Sequence, residues 1–268
     1  MRVKRQTQTQ SRPTDWHDVA HWYDQLVGDV GSEYHRHVVL PGVLRLLAPM
    51  PGERVIDVAC GQGVLCRLLN ERSIETLGVD AARDLIELAK KRQLDFKTDA
   101  RASFLVGDAR ELGFLDARHY DAAACVLAIQ NIHPIQPVFD SVARVLKPFG
   151  RFVIAMMHPC FRGAKESHWG WDDASKTQFR RVDRYLIPRK SPIVAHPGKK
   201  SESDYTWTFH KPIEDYVKAA RNAGMMIDAI EEAPSHKTSG PGPRQAAENQ
   251  SRKEIPMFLT MRCVKVDR

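Results

Sequence analysis

Three short apolar runs in the first half of the chain follow one another at the spacing of β–α–β crossovers, and each ends on residues suited to grip a small molecule. Val55-Ile56-Asp57-Val58-Ala59-Cys60-Gly61-Gln62-Gly63 is a strand running into a glycine turn; Gly78-Val79-Asp80 ends the second run, and Gly107-Asp108-Ala109 follows the third. A glycine turn lets backbone approach a ligand closely. An acid about 20 positions further on can accept from both hydroxyls of a ribose, and Asp80 follows Gly61 by 19 positions. A second carboxylate, Asp108, can accept from an exocyclic amine. In an open parallel sheet, ligands bind outside the carboxyl ends of the strands. The three ends therefore converge on one nucleoside.

The chain has 268 residues, 43% of them hydrophobic, enough for one large α/β domain. No apolar run reaches the roughly 20 residues of a membrane span. Residues 1–14 are basic and polar without an apolar stretch, which reads as a disordered tail and not a secretory signal. Five cysteines (Cys60, Cys66, Cys125, Cys160 and Cys263) form no Cys-x-x-Cys pair. That pattern predicts no metal site and a reducing, cytoplasmic setting. The net charge of +7 raises a nucleic-acid partner, but the basic residues are scattered over the tail, 162–200 and helix faces, the distribution of a solvated surface.

Spacings of three and four over 15–47 predict a helical N-terminal cover, with Pro41-Gly42 interrupting or restarting its second helix. From 52 to 157 strand and helix alternate: strands at Arg54–Val58, Thr76–Val79, Ala102–Val106, Asp121–Leu127 and Arg151–Met157, with helices at Val64–Asn70, Asp84–Lys91 and Val138–Leu146 between them. The stop signal Lys147-Pro148-Phe149-Gly150 precedes the fifth strand. Residues 158–204 show no sustained periodicity and read as an insertion on the substrate side. Residues 205–268 complete the sheet with a short strand at Tyr205–Phe209, a helix from Ile213 to Ala223, and a strand pair at Met225–Glu231 and Met257–Val264. Ser235–Glu254, rich in Gly, Pro, Ser and charge, reads as mobile. Both insertions leave the sheet at its carboxyl edge and are expected to overhang the ligand crevice.

The glycine turn lacks the dinucleotide fingerprint, because Cys66 stands at its third position. Asp57, inside the first strand, would repel bound phosphates but suits a ligand carrying an ammonium group. With Tyr120-Asp121 opening the fourth strand and Leu146-Lys147-Pro148-x-Gly150 before the fifth, the whole pattern resembles the class I S-adenosylmethionine-dependent methyltransferases. Within them it is closest to the small-molecule methyltransferase type 11 group. The resemblance implies a Rossmann-like, doubly wound, mainly parallel sheet of seven strands with N-terminal helices and an insertion after strand five. It covers 52–157 strongly and 205–264 more loosely. One departure is Ala59, where many members carry Gly.

The resemblance further implies that S-adenosyl-L-methionine is the cofactor. Asp57, Ala59, Gly61 and Gly63 would surround its methionine moiety, Asp80 and Ala81 its ribose, Asp108 and Ala109 its adenine, and Val126 and Leu127 its ammonium, with Tyr23 covering the methyl group or carboxylate. Asp80, expected to be exposed at a strand end, should contribute little to packing. His158 is the candidate base or substrate ligand, and His133, Trp169 and Trp171 are candidate substrate contacts, as is Trp207. The leading expectation is methyl transfer to an oxygen, nitrogen or carbon of a small molecule. An RNA methyltransferase and a non-catalytic cofactor-binding protein of the same fold are the alternatives.

Overall fold

The computed structural model describes residues 16–17, 19–94, 102–163, 165–194 and 205–267; the N-terminal tail expected over 1–14 lies outside them. In chain order the elements are α1 (Ala20–Val27), α2 (Leu40–Leu47), β1 (Arg54–Val58), α3 (Val64–Asn70), β2 (Glu75–Asp80), α4 (Arg83–Leu94), β3 (Ala102–Val106), β4 (Tyr120–Val126), α5 (Gln136–Val145) and β5 (Leu146–Met157). Then come β6 (Ser167–Asp172), β7 (Thr177–Val182), β8 (Arg189–Val194), β9 (Tyr205–His210), α6 (Ile213–Asn222), β10 (Met225–Ala233), α7 (Gln245–Glu254) and β11 (Phe258–Lys265). The main sheet has seven strands in the order β10-β11-β5-β4-β1-β2-β3. Only β11 runs antiparallel to its neighbours. This is the mainly parallel, doubly wound sheet expected from the alternation.

Strand residues alternate between two buried faces. Ile56, Val58, Ala123, Cys125, Phe152 and Ile154 pack beneath α5 and α6, against Val138, Phe139, Val142 and Tyr216. Val55, Ala122, Ala124, Val153 and Ala155 face the other way, against Val43 and Leu47 of α2 and Leu65 and Leu69 of α3. Asp57 shares the second face by parity. It is a carboxylate in a row of alanines and valines, 2% exposed. The second N-terminal helix does restart at its proline: a π-helical stretch, His35–Val39, runs into α2 with Pro41 in the first turn. A missing N–H costs little there.

The structure corrects the sequence reading in four places. The stop signal at 147–150 does not delay β5, which begins at Leu146 and absorbs the segment as an irregularity between the pairs Tyr120↔Leu146 and Ala122↔Arg151. The described part of 158–204 is not irregular: β6 pairs with β7, and β8 with β9, each antiparallel. Their alternation is hidden because half-buried positions of β7 are Gln178, Arg180 and Val182, while Phe179 faces out. The Tyr205–Phe209 strand therefore belongs to a hairpin and not to the main sheet. Finally, Ser235–Glu254 contains α7, held to β7 by Ser251, whose hydroxyl donates to the Gln178 carbonyl at 2.8 Å. With mostly polar residues, α7 draws its stability from such tertiary contacts and not from an amphipathic stripe.

The N-terminal cover is docked by one buried guanidinium. Arg67 of α3, 3% exposed, donates to the Gln62 carbonyl (2.6 Å), the Gln62 side-chain oxygen (2.8 Å) and the Asp29 carbonyl (2.8 Å). Gln62 in turn donates to the Gly28 carbonyl. The loop after α1 is thus tied to the glycine turn. Arg67→Met strands these acceptors, each loss costing about 1–3 kcal/mol. We expect a destabilisation of about 2–4 kcal/mol, measurable by urea unfolding.

Candidate functional site

A cavity of about 590 Å³ opens at the carboxyl edge of the sheet, within the usual range for small-molecule sites. Its inner wall is made by Tyr23, Ala59, Gly61, Asp80, Ala81, Asp108, Ala109, Val126 and Leu127. Nine of the eleven cofactor positions named from sequence thus meet around one space. Gly63 lies behind this wall with φ +82°, and a Cβ there would stand 2.7 Å from the Phe104 ring. Asp57 sits in a small adjoining recess shared with Tyr23, Ala59, Gln62 and Val126. Ala59 itself takes φ +57°, the left-handed region that glycine enters freely. The turn keeps its shape without the glycine.

Asp80 is neither exposed nor idle, contrary to the sequence reading. It is half-buried, and its two oxygens accept from the backbone N–H of Gly61 and of Ala82, each at 2.8 Å. The acid therefore ties the glycine turn to the start of α4. Burial pushes its carboxyl up, and the two N–H bonds oppose that. Burial, the Asp80 charge and the Asp57 charge push the Tyr23 phenol up, so it stays protonated. Asp108 differs: burial raises it, but hydrogen bonds and the charge of Arg110 outweigh that and hold it below the usual carboxylate range. Arg110 clamps Asp108 through Nε and Nη and reaches the His133 carbonyl at 2.8 Å. It lines the cavity too, although nothing in the sequence distinguished it from a surface arginine.

The outer wall is the β8–β9 hairpin, with Lys190, Tyr205, Thr206, Trp207 and Phe209, facing His133. The His133 ring stacks on Phe209 with centroids 5.1 Å apart. The Lys190 ammonium lies 3.7 Å from the Trp207 ring centroid. Burial, Lys211 and Arg110 lower the His133 imidazole.

The other substrate-side candidates are displaced from this space. His158 is 1% exposed; its Nδ1 accepts from the Cys160 N–H, so Nε2 carries the proton and donates to Glu232 at 2.6 Å. Both nitrogens are used, and it is no base for the cavity. Trp169 packs against the guanidinium groups of Arg162 and Arg180, and Trp171 against that of Arg244. Both pack the β6–β7 hairpin. Residues between β10 and β11 do not line the cavity either; of the two insertions, the first overhangs it among the described residues.

Comparisons with known proteins agree with this geometry. Residues 56–154 match the family model described as a methyltransferase domain. The chain is 32% identical over 175 residues to a 2-phytyl-1,4-naphtoquinone methyltransferase of Synechococcus elongatus, covering 63% of this chain and 70% of that one. It is 26% identical over 191 residues to a demethylmenaquinone methyltransferase of Renibacterium salmoninarum, covering 71% of each. The Thermotoga maritima demethylmenaquinone methyltransferase is 34% identical, over 44% of this chain and 49% of that one. A solved S-adenosylmethionine-dependent methyltransferase from Mesorhizobium loti superposes with a TM-score of 0.62 at 23% identity, covering 83% of this chain and 95% of that one. The chain belongs to the class I S-adenosylmethionine-dependent methyltransferases, among relatives that methylate small molecules. It is an enzyme, and S-adenosylmethionine is its methyl donor.

The residues present fit that cofactor. Asp57 Oδ1 is buried without a hydrogen-bond partner, an orphaned acceptor where an ammonium group would complete it. Burial first, then the Asp80 charge, raises the Asp57 carboxyl to about 8. In the unfolded chain it ionises near its ordinary 3.8, so unfolding releases a proton between about pH 4 and 8. Its contribution to stability is therefore full below pH 4 and lost as pH rises through 8. Without cofactor, the melting temperature of the wild type should fall between pH 6 and 8 relative to Asp57→Asn. Parallel melting curves that keep a constant gap would contradict this.

Proposed function

We propose that the enzyme methylates a flat, ring-bearing small molecule held between the β8–β9 aromatics and the cofactor wall. One observation carries this reading: a single cavity has paired acids and glycine backbone on one side and Tyr205, Trp207, Phe209 and His133 on the other. Aromatic faces recognise planar rings through offset stacking. The relatives, naphtoquinone and demethylmenaquinone methyltransferases, are named for ring substrates of that kind.

In this reading Asp80 exchanges part of its backbone bonding for the ribose hydroxyls, and Asp108, oriented by Arg110, takes the exocyclic amine. Asp57 takes the ammonium. The bound sulfonium supplies an already activated methyl group, so the main task of the chain is alignment, which is worth roughly 7–11 kcal/mol. His133 is the imidazole that lines the cavity among the described residues. Its lowered basicity keeps it neutral near pH 7, ready to accept a proton from an acidic hydroxyl or enol of the acceptor. The five thiols are unpaired, which suits a reducing, cytoplasmic setting. Among the described residues, no helix is long and apolar enough to cross a membrane.

The RNA alternative draws less support. Arg180 donates to the Phe161 carbonyl and to Ser167, Arg189 pairs with Glu166, and Arg181 pairs with Asp183. Much of the basic stretch is consumed inside its own hairpins and is not offered to phosphates.

Calorimetry with S-adenosylhomocysteine tests the inner wall. Asp80→Asn keeps an acceptor for the turn but loses the charge, and affinity should fall about 10- to 100-fold, equivalent to one charge-assisted hydrogen bond. Unchanged affinity would remove Asp80 from the site. Trp207→Ala tests the outer wall. With a reduced naphthoquinone acceptor it should raise KM severalfold while S-adenosylhomocysteine affinity holds within about twofold.

A further inference from the structure

Behind Phe209 lies a second cavity of about 210 Å³, which shares Asn131 and Phe209 with the main one. Two cations line it, Lys211 and Arg162. Lys211 sits between β9 and α6 and is 6% exposed. Its ammonium makes two long hydrogen bonds, to the carbonyls of Ile132 (3.3 Å) and Phe209 (3.5 Å). It forms no ion pair with a carboxylate among the described residues. An ammonium has three donors, so one remains. Arg162 has a buried Nε–H without a partner, and its guanidinium is braced 5.2 Å from the Trp169 ring centroid.

A buried cation lacking a counter-charge is costly unless something completes it. Burial pulls Lys211 down to about 8, Asp215 offsetting this in part, and burial lowers Arg162 as well. Neither residue is needed to close the hairpin, whose pairing is made by backbone. Apolar side chains would fill the same places without that cost. The acceptor oxygens Gln130 Oε1 and Asn131 Oδ1 are also buried and unpaired, and both residues line this chamber. They are available to a hydroxyl donor on the ligand that brings the charge.

We infer that this second chamber is an anion subsite, in which Lys211 and Arg162 hold an acidic group, carboxylate or phosphate, of the methyl acceptor whose ring occupies the main cavity. The inference rests on the acceptor reading proposed above and extends it from a planar ring to a planar acid. The shared wall at Asn131 and Phe209 makes the two chambers neighbours. The subsite favours acidic acceptors over neutral ring compounds of the same shape, because the latter leave the buried Lys211 and the half-buried Arg162 without a counter-charge.

The test uses the full chain with benzoate and inorganic phosphate as separate probes, at constant ionic strength with chloride as control. One probe should bind and raise the melting temperature; benzoate preference marks a carboxylate and phosphate preference a phosphoryl group. Lys211→Met and Arg162→Met should each weaken that probe about tenfold or more, whereas the exposed Lys218→Gln should not. Lys211→Met should also melt higher than wild type without any anion, since it removes an uncompensated buried charge. Binding of neither probe, or binding indifferent to both substitutions, overturns the inference. S-adenosylhomocysteine calorimetry on the same proteins keeps the two readings apart. Retained cofactor binding certifies the fold, and its absence in the wild type would strike the cofactor site and not the subsite.

Discussion

The carboxylate of Asp80 is the joint on which the site depends. Parallel pairing of β1 with β2 sets Val58 opposite Val79, which brings the turn after β1 beside the end of β2. Asp80 then bonds the N–H of Gly61 on one side and that of Ala82 on the other. A single acid thus joins the glycine turn to the first turn of α4. The Arg67–Gln62 cluster holds the same turn from behind. A loop rich in glycine would otherwise sample many conformations. Here it is held from two directions, which preorganises the inner wall before any ligand arrives.

Charge is sorted along the cavity. At the inner end Asp57 and Asp80 sit close enough to raise one another's neighbours, Tyr23 among them, with little cationic relief. At the outer end Arg110 and Lys190 line the wall, and Lys211 and Arg162 lie beyond Phe209. An acidic inner end is suited to a ligand bearing ammonium and sulfonium charges. A basic outer end is suited to an acceptor of the opposite sign. The two ligands would meet head to head with complementary charges, which aids orientation as much as affinity.

Tolerance of Ala59 in the left-handed region shows how far tertiary support can replace local preference. Such a backbone costs a non-glycine residue about 1 kcal/mol or more. The surrounding turn over-determines it: the Cys60 N–H donates to the Val79 carbonyl and the Gly63 N–H to the Cys60 carbonyl. A similar logic hides the hairpins from a periodicity reading. In β7 the half-buried side is filled by Gln178 and Arg180, and Arg180 covers the Trp169 ring with its guanidinium.

The sheet, its order of alternation and the inner wall were legible because local constraints coincide there. Buried parallel strands must be apolar, a tight turn needs glycine, and an acid at a strand end stands out against Val and Leu. Those signals lie within a few residues of one another and survive any tertiary context. Tertiary structure alone decided which side chains faced the acceptor. Lys190 and Trp207 are 57 to 97 residues away from Arg110 and His133 in sequence, and only hairpin pairing carries them across the crevice. It also turned His158 onto Glu232 and took Trp169 and Trp171 into packing, outcomes set by strand register, which no composition or spacing encodes.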